Sequence, residues 1–268
     1  MFTDINNDHS KRKIFDRFID FLQLKLLFNP QPDKKNLLPS LTSQYDYIES
    51  LVIYTEDGAE LHGWFAPKFD ENGIAKPLKI YFGGRGEEVS WLIPEIPNIS
   101  NFSVALFNYR GSGKSTGTPS QSALYNDSLR IFEYFVKKYN FIAENIGLIG
   151  RSLGTGLAIY VAANKMVKSV ILISPYDSII SIAREKYWYI PISRLLVHHF
   201  KSIDYVPYIK VPLLTIVSDV DKTVRIERSK RIHEAWNHHI KEWIQIPFTD
   251  HSSVASAVKC IEEINRFH

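Results

Sequence analysis

The sequence predicts an α/β fold: one mostly parallel, eight-stranded sheet flanked by helices on both faces. An acidic-glycine turn, Glu56-Asp57-Gly58, separates two short alternating runs near the start and makes a hairpin. Apolar runs of strand length then alternate with longer runs of helical period. A length of 268 residues suits a single large sheet, and burying about three quarters of the unfolded surface needs no disulfide or metal to hold the core.

The hairpin strands are expected at residues 48–55 and 60–66. Further strands are expected at 78–82, 103–108, 146–149, 167–173, 213–218 and 243–246, and helices at about 119–139, 153–165, 225–236 and 254–267. The stretch 176–208 is too long for a plain crossover, and its aromatic run Tyr187-Trp188-Tyr189 marks it as a small helical cap. Ahead of the main domain (41–268), residues 1–40 read as an amphipathic helix and a linker. Ile14, Phe15, Phe18, Ile19, Leu22 and Leu26 recur at helical spacing, Asn29-Pro30 stops the run, and the next ten residues are rich in Pro, Asp, Lys and Asn. Such a helix serves either to pack on the domain or to lie on a membrane surface, and both readings stand.

A hydrophobic content of 45% beside 23% charged residues is that of an average soluble globular protein. The net charge of +3 is small and spread along the chain, without the clustered basic stripe that nucleic-acid binding needs. The one cysteine, Cys260, excludes an internal disulfide framework and fits a reducing, cytoplasmic setting; its apolar neighbours predict an inert buried thiol. The N-terminus does not read as a secretory signal, and no run of 18 apolar residues is present to span a bilayer. Contact with a membrane is therefore expected to be peripheral, through the N-terminal helix. The oligomeric state is not legible.

Gly150-Arg151-Ser152-Leu153-Gly154 is a G-x-S-x-G sequence. A serine on a sharp strand-to-helix turn projects its hydroxyl above the sheet, and small residues two places before and after let neighbouring backbone pass. The apolar run 146–149 precedes it and an Ala- and Gly-rich helical pattern follows, as that turn requires. Ser152 is the candidate nucleophile. The amide of Leu153 is then one candidate oxyanion donor. A second should come from the loop Gly83-Gly84-Arg85-Gly86-Glu87 after the third strand, with Arg85 preferred and Gly84 and Gly86 as neighbours. That loop fails as a dinucleotide site, because Val89 stands where the third glycine belongs.

In this architecture the partners follow in chain order serine, acid, histidine. Of nine histidines, His251 lies in the loop between the last strand and the last helix, where Ser152 emerges. His198-His199 and His238-His239 are adjacent pairs whose members diverge on any regular element, and no Cys/His spacing suggests a metal. For the acid, Asp221 follows the strand at 213–218; Asp219 and Asp177 are the alternatives, the first equally suited to bracing a turn.

With these residues in place the chain resembles serine α/β-hydrolases of the Bem46 and ABHD13/ABHD17 type. The likeness runs from about residue 48 to the C-terminus. Asn108-Tyr109-Arg110-Gly111-Ser112-Gly113-Lys114-Ser115-Thr116-Gly117-Thr118-Pro119 is similar to that family's YRGxGxSxGxP block. The sequence Gly150–Gly156 is similar to its nucleophile elbow. Tyr189-Ile190-Pro191, Phe200-Lys201-Ser202-Ile203 and Val211-Pro212-Leu213 follow its cap-to-strand segment. The family's GxxDxxV stretch aligns with Ser218–Val224, which favours Asp221 as the acid. Two departures stand out: Gly83-Gly84-Arg85 replaces the usual His-Gly-Asn, and His251 follows Asp250 rather than glycine. The Gly111-x-Gly113-Lys114-Ser115 stretch lacks the first glycine and the helix of a phosphate loop, since Asn108 precedes it and Gly117 and Pro119 follow.

The resemblance implies the α/β-hydrolase fold and hydrolysis of a carboxylic ester or thioester through an acyl-Ser152 intermediate, with no cofactor and no metal, on a small-molecule or acylated substrate. An acyl-protein thioesterase or peptidase is the nearest alternative, and a non-catalytic binding protein on the same scaffold the more distant one. Tyr187, Trp188 and Tyr189 are the candidate lining of an acyl pocket.

Overall fold

The computed structural model describes residues 23–31, 45–99, 101–189 and 192–267. Most of the expected N-terminal helix and nearly all of the linker lie outside these residues. The part that is described, Leu24–Phe28, forms a single π-helical turn that ends at Asn29 in the left-handed region.

Eight strands form one sheet: β1 (Glu49–Tyr54), β2 (Glu60–Ala66), β3 (Leu78–Phe82), β4 (Ser103–Phe107), β5 (Ile146–Arg151), β6 (Val170–Ile173), β7 (Leu213–Ser218) and β8 (Lys241–Ile246). Their order is β1-β2-β4-β3-β5-β6-β7-β8. The pairs β1–β2 and β2–β4 are antiparallel, and all the others are parallel. The expected mostly parallel sheet is therefore the one observed. Among the described residues, six α-helices accompany it: α1 (Gln121–Lys138), α2 (Leu153–Asn164), α3 (Ile179–Lys186), α4 (Ile192–Leu195), α5 (Ile226–Ala235) and α6 (Val258–Arg266).

The central strands are apolar at nearly every position because helices cover both faces. Alternate residues divide between two cores. Leu78, Ile80 and Phe82 of β3, Leu148 of β5 and Leu172 of β6 join α1 and α2 on one face. Tyr81, Ile149, Ile171 and Ile173 join α6 on the other. This two-residue period fixes the register, since a slip of one residue would exchange the faces.

Several boundaries differ from the sequence reading for local reasons. Ser120, not Pro119, begins the first long helix, its hydroxyl accepting from the Ala123 amide at 3.1 Å. The expected helix at 254–267 is broken at Ala257, whose extended backbone separates a 3-10 turn from α6. Residues Val89–Asn98 form a 3-10 run that the sequence reading left unassigned. Pro94 and Pro97 inside it remove amide donors that a longer α-helix would need.

The chain between β6 and β7 forms α3, α4 and two 3-10 turns, Ser202–Asp204 and Val206–Tyr208. A buried cluster ties it down. Arg228 of α5 donates to both oxygens of Asp177 at 3.0 and 2.7 Å and also to Glu185 of α3, while Arg231 reaches Asp177 at 2.9 Å.

Lys79 of β3 is 2% exposed. Its ammonium donates to the Ile264 and Phe267 carbonyls at the end of α6 and lies 4.0 Å from the centre of the Phe102 ring. Burial, and then the like charge of Lys168, nevertheless push its pKa down to about 7. An unfolded lysine titrates near 10.4, so between about pH 7 and that value the unfolded chain holds the extra proton and stability rises with pH. Thermal melts from about pH 7 to about pH 9.5 should show the wild type gaining on Lys79→Met across that window. Parallel curves for the two proteins would contradict the burial of a titrating lysine.

Candidate active site

Ser152 occupies the turn between β5 and α2, with φ 50° and ψ −117°. This is a sparsely populated conformation for a residue with a side chain, and the surrounding backbone imposes it. The Ser152 amide donates to the Ile173 carbonyl of β6 at 2.9 Å, and its carbonyl accepts from the Thr155 amide and hydroxyl at 2.9 and 2.7 Å. The flanking glycines allow the turn to close. A Cβ at Gly154 would lie 2.0 Å from the Phe82 carbonyl oxygen, and one at Gly150 would lie 2.6 Å from that of Gly154.

His251 and Asp221 come from the loops after β8 and β7, and the structure brings both to Ser152. His251 Nε2 is 2.8 Å from the Ser152 hydroxyl, and His251 Nδ1 is 2.7 Å from Asp221 Oδ2. An ionised carboxylate only accepts, so it assigns the imidazole proton to Nδ1 and leaves Nε2 to accept from the serine. Asp221 Oδ1 in turn accepts from the Thr223 and Val224 amides, each at 2.8 Å. Burial pushes the Asp221 carboxyl up, but the hydrogen bond and charge of His251, with those two amides, outweigh it and hold the group below its ordinary range.

The two alternative carboxylates are engaged elsewhere. Asp219 accepts from the Phe248 and Thr249 amides at 2.9 and 3.2 Å and so braces the loop that leads to His251. Asp177 is bound by Arg228 and Arg231.

The loop after β3 faces the serine: a Cβ at Gly84 would lie 3.5 Å from the Ser152 Cβ. The Tyr109 hydroxyl donates to the Gly83 carbonyl at 2.6 Å. The Gly84 amide is held by the Glu87 carboxylate, and the Gly86 amide by the Phe28 carbonyl at 2.9 Å. Of the three amides weighed as the second oxyanion donor, the Arg85 amide thus remains without a partner among the described residues. The Leu153 amide opens α2, where no intrahelical acceptor exists. The bulky Arg85 side chain is accounted for as well: it is exposed and its guanidinium donates to the Leu26 carbonyl of the π-turn at 3.0 Å.

Sequence reasoning did not single out Glu87 and Arg151. Glu87, at the end of the loop after β3, accepts from the Gly84 amide and from Arg151, and Arg151 joins that loop to the one carrying His251. The charge pair lies within the two motifs already noticed, but nothing in their spacing shows that 87 and 151 meet.

Among the described residues, Tyr187, Trp188 and Tyr189 make none of the hydrogen bonds that hold the Ser152, His251 and Asp221 side chains. Trp188 is 82% and Tyr189 67% exposed, their rings edge to face at 5.9 Å, and half-buried Tyr187 caps the end of α3. Among the described residues, no group of three or more His, Cys, Asp or Glu side chains could hold a metal ion, and no helix is long and apolar enough to cross a membrane.

Comparison with known proteins agrees with this architecture. Residues 80–191 match the family model described as alpha/beta hydrolase fold. An uncharacterized protein of Mycobacterium tuberculosis is 27% identical over 237 residues, covering 88% of this chain and 82% of its own. A solved alpha-beta hydrolase from Vibrio vulnificus superposes with a TM-score of 0.74 at 17% identity, covering 91% of each chain. An esterase from Pyrococcus furiosus superposes with a TM-score of 0.66 at 19% identity, covering 90% of this chain and 96% of its own. The sheet order and these matches show that the chain has the α/β-hydrolase fold.

Proposed function

We propose that the protein is a serine hydrolase that cleaves a carboxylic ester or thioester. The observation that carries the reading is the hydrogen-bonded run from Ser152 through His251 to Asp221, set on a strained strand-to-helix turn. The esterase among the structural neighbours shares the fold and supports it. The finer likeness to the Bem46 type rests on the Tyr109–Pro119 block and the elbow. A reducing, cytoplasmic setting suits Cys260, whose thiol is buried and pushed up to about 12.

In this mechanism the Ser152 oxygen attacks the substrate carbonyl while His251 Nε2 takes its proton. Asp221 holds the imidazole in the required tautomer and stabilises the imidazolium. The carbonyl oxygen becomes an oxyanion facing the amides of Leu153 and Arg85, fixed donors that need no reorganisation as charge develops. Collapse of the tetrahedral adduct breaks the ester or thioester bond, and the leaving alcohol or thiol departs with the proton from His251. Water then attacks the acyl-Ser152 carbonyl, giving its proton to His251. Release of the carboxylic acid returns that proton to the serine.

With p-nitrophenyl acetate as substrate, Ser152→Ala should remove all but a small residue of kcat. Asp221→Asn should lower it by about 10⁴-fold, because an asparagine favours the wrong tautomer of His251. Asp219→Asn should cost less than about tenfold, as expected of a loop brace. Full activity in Ser152→Ala would end the acyl-enzyme reading, and the reverse ranking of the two aspartates would move the acid to Asp219.

The exposure of Trp188 and Tyr189 bears on the acyl group. A ring left in water does not anchor the cap, so its contact surface is free for an apolar substrate, each methylene covered contributing about 0.8 kcal/mol. Across a series of p-nitrophenyl esters that runs from acetate to dodecanoate, Trp188→Ala should therefore move the chain-length optimum toward shorter acyl groups and leave the Tm unchanged. A fall in Tm with an intact chain-length profile would place the ring in packing instead.

A further inference from the structure

We propose that Glu87 and Arg151 are positioning residues: a buried ion pair that holds the oxyanion loop, the nucleophile turn and the His251 loop in one arrangement. The proposal rests on the serine-hydrolase reading for its activity readout. Its geometry stands independently.

The side chain of Glu87 is 5% exposed, and burying a carboxyl group is costly unless donors satisfy its oxygens. Four do. Oε1 accepts from the Tyr81 hydroxyl and the Trp91 indole nitrogen, both at 2.7 Å. Oε2 accepts from the Gly84 amide and from Arg151 Nη1, the latter at 2.7 Å. Burial, and then the Glu87 charge, raise the Tyr81 phenol well above its ordinary range, so it stays a donor.

These donors come from β3, the oxyanion loop, the 3-10 run after it, and the residue next to Ser152. The carboxylate therefore takes up the Gly84 amide, fixing the Gly83–Gly84 peptide one unit ahead of the Arg85 amide. The same guanidinium reaches onward: Arg151 Nη2 donates to the backbone carbonyls of His251 and Ser252, at 3.3 and 3.1 Å. One fork thus touches the loop carrying the oxyanion donor and the loop carrying the base, and its own backbone adjoins the nucleophile. Among the described residues Arg151 Nε is buried without a hydrogen-bond partner, so the guanidinium sits where it bridges these loops rather than where all its donors are satisfied. A lysine has the charge but not the planar fork, and cannot span both sides.

A merely structural ion pair would set stability alone. A positioning pair sets where the oxyanion donors and the base stand relative to Ser152, and acts on transition-state stabilisation with little change in ground-state binding. The experiment is steady-state hydrolysis of p-nitrophenyl acetate by the wild type, Glu87→Ala, Arg151→Lys and the double variant Glu87→Ala/Arg151→Lys, with fluorophosphonate labelling rates and melting curves beside it. In each single variant kcat should fall by about 10²-fold, the size of losing an oxyanion donor, with KM within about threefold and labelling slowed in parallel. The double variant should be little worse than either single one, as expected of a unit. Lowered Tm with wild-type kcat, or a raised KM with unchanged kcat, would overturn the positioning role. If Glu87→Ala does not fold, Arg151→Lys, which keeps the charge on both partners, decides the matter alone. A wild type inert to both ester and probe would instead overturn the hydrolase reading, so the two failures are distinguishable.

Discussion

Ser152 holds a backbone conformation that costs about 1–3 kcal/mol, and much of the site's geometry follows from how the fold sustains it. The turn is clamped between the end of β3, where the Phe82 carbonyl and that of the next residue, Gly83, crowd Gly154, and β6, whose Ile173 carbonyl receives the serine amide. Both strands are buried on two faces, so the clamp cannot relax without disturbing the central sheet. The strain is thereby set against the packing of the whole domain. It places the hydroxyl above the carboxyl ends of the parallel strands, where the loops after β7 and β8 deliver the carboxylate and the imidazole.

Charge at the site is arranged in two buried clusters with different work. Asp221 faces His251 and two amides, an arrangement that keeps an acceptor-only carboxylate next to the imidazole. Glu87 faces a phenol, an indole, an amide and a guanidinium, and forms part of the frame that the first cluster stands in. Buried ion pairs add little net stability, and losing one partner costs about 3–5 kcal/mol. The value of the Glu87–Arg151 pair is accordingly geometric. The same chemistry recurs elsewhere, with Asp177, Arg228 and Arg231 joining the β6–β7 segment to α5.

The sheet was legible in the sequence because each central strand is a short apolar run bounded by turn residues, and β3 and β7 fall on the residues expected. The 3-10 run at Val89–Asn98 was not, since two prolines erase the helical period that would have announced a helix. At the site, motif spacing pointed to Ser152 and chain order to His251, and the structure joins them. Asp219 and Asp221 could not be separated by residue type or strand position. Their difference lies in which backbone amides and which side chain each one meets, which depends on the path of two loops. Glu87 was invisible for the same reason: its donors come from positions 81, 84, 91 and 151, brought together only by the closing of the sheet. The aromatic cap residues were legible as a cluster, but their exposure was not, because an apolar run looks alike whether it packs or faces water.

The central claim is that Ser152 becomes acylated, and a pre-steady-state burst reports it most directly. Mixing the enzyme with excess p-nitrophenyl acetate should release nitrophenolate in a rapid phase of about one equivalent per chain before the linear phase, as acyl-enzyme accumulates. Intact-mass analysis of the quenched burst should find an acetyl group on the peptide carrying Ser152. Release that is linear from the start, with no adduct and with the same rate in Ser152→Ala, would contradict the account.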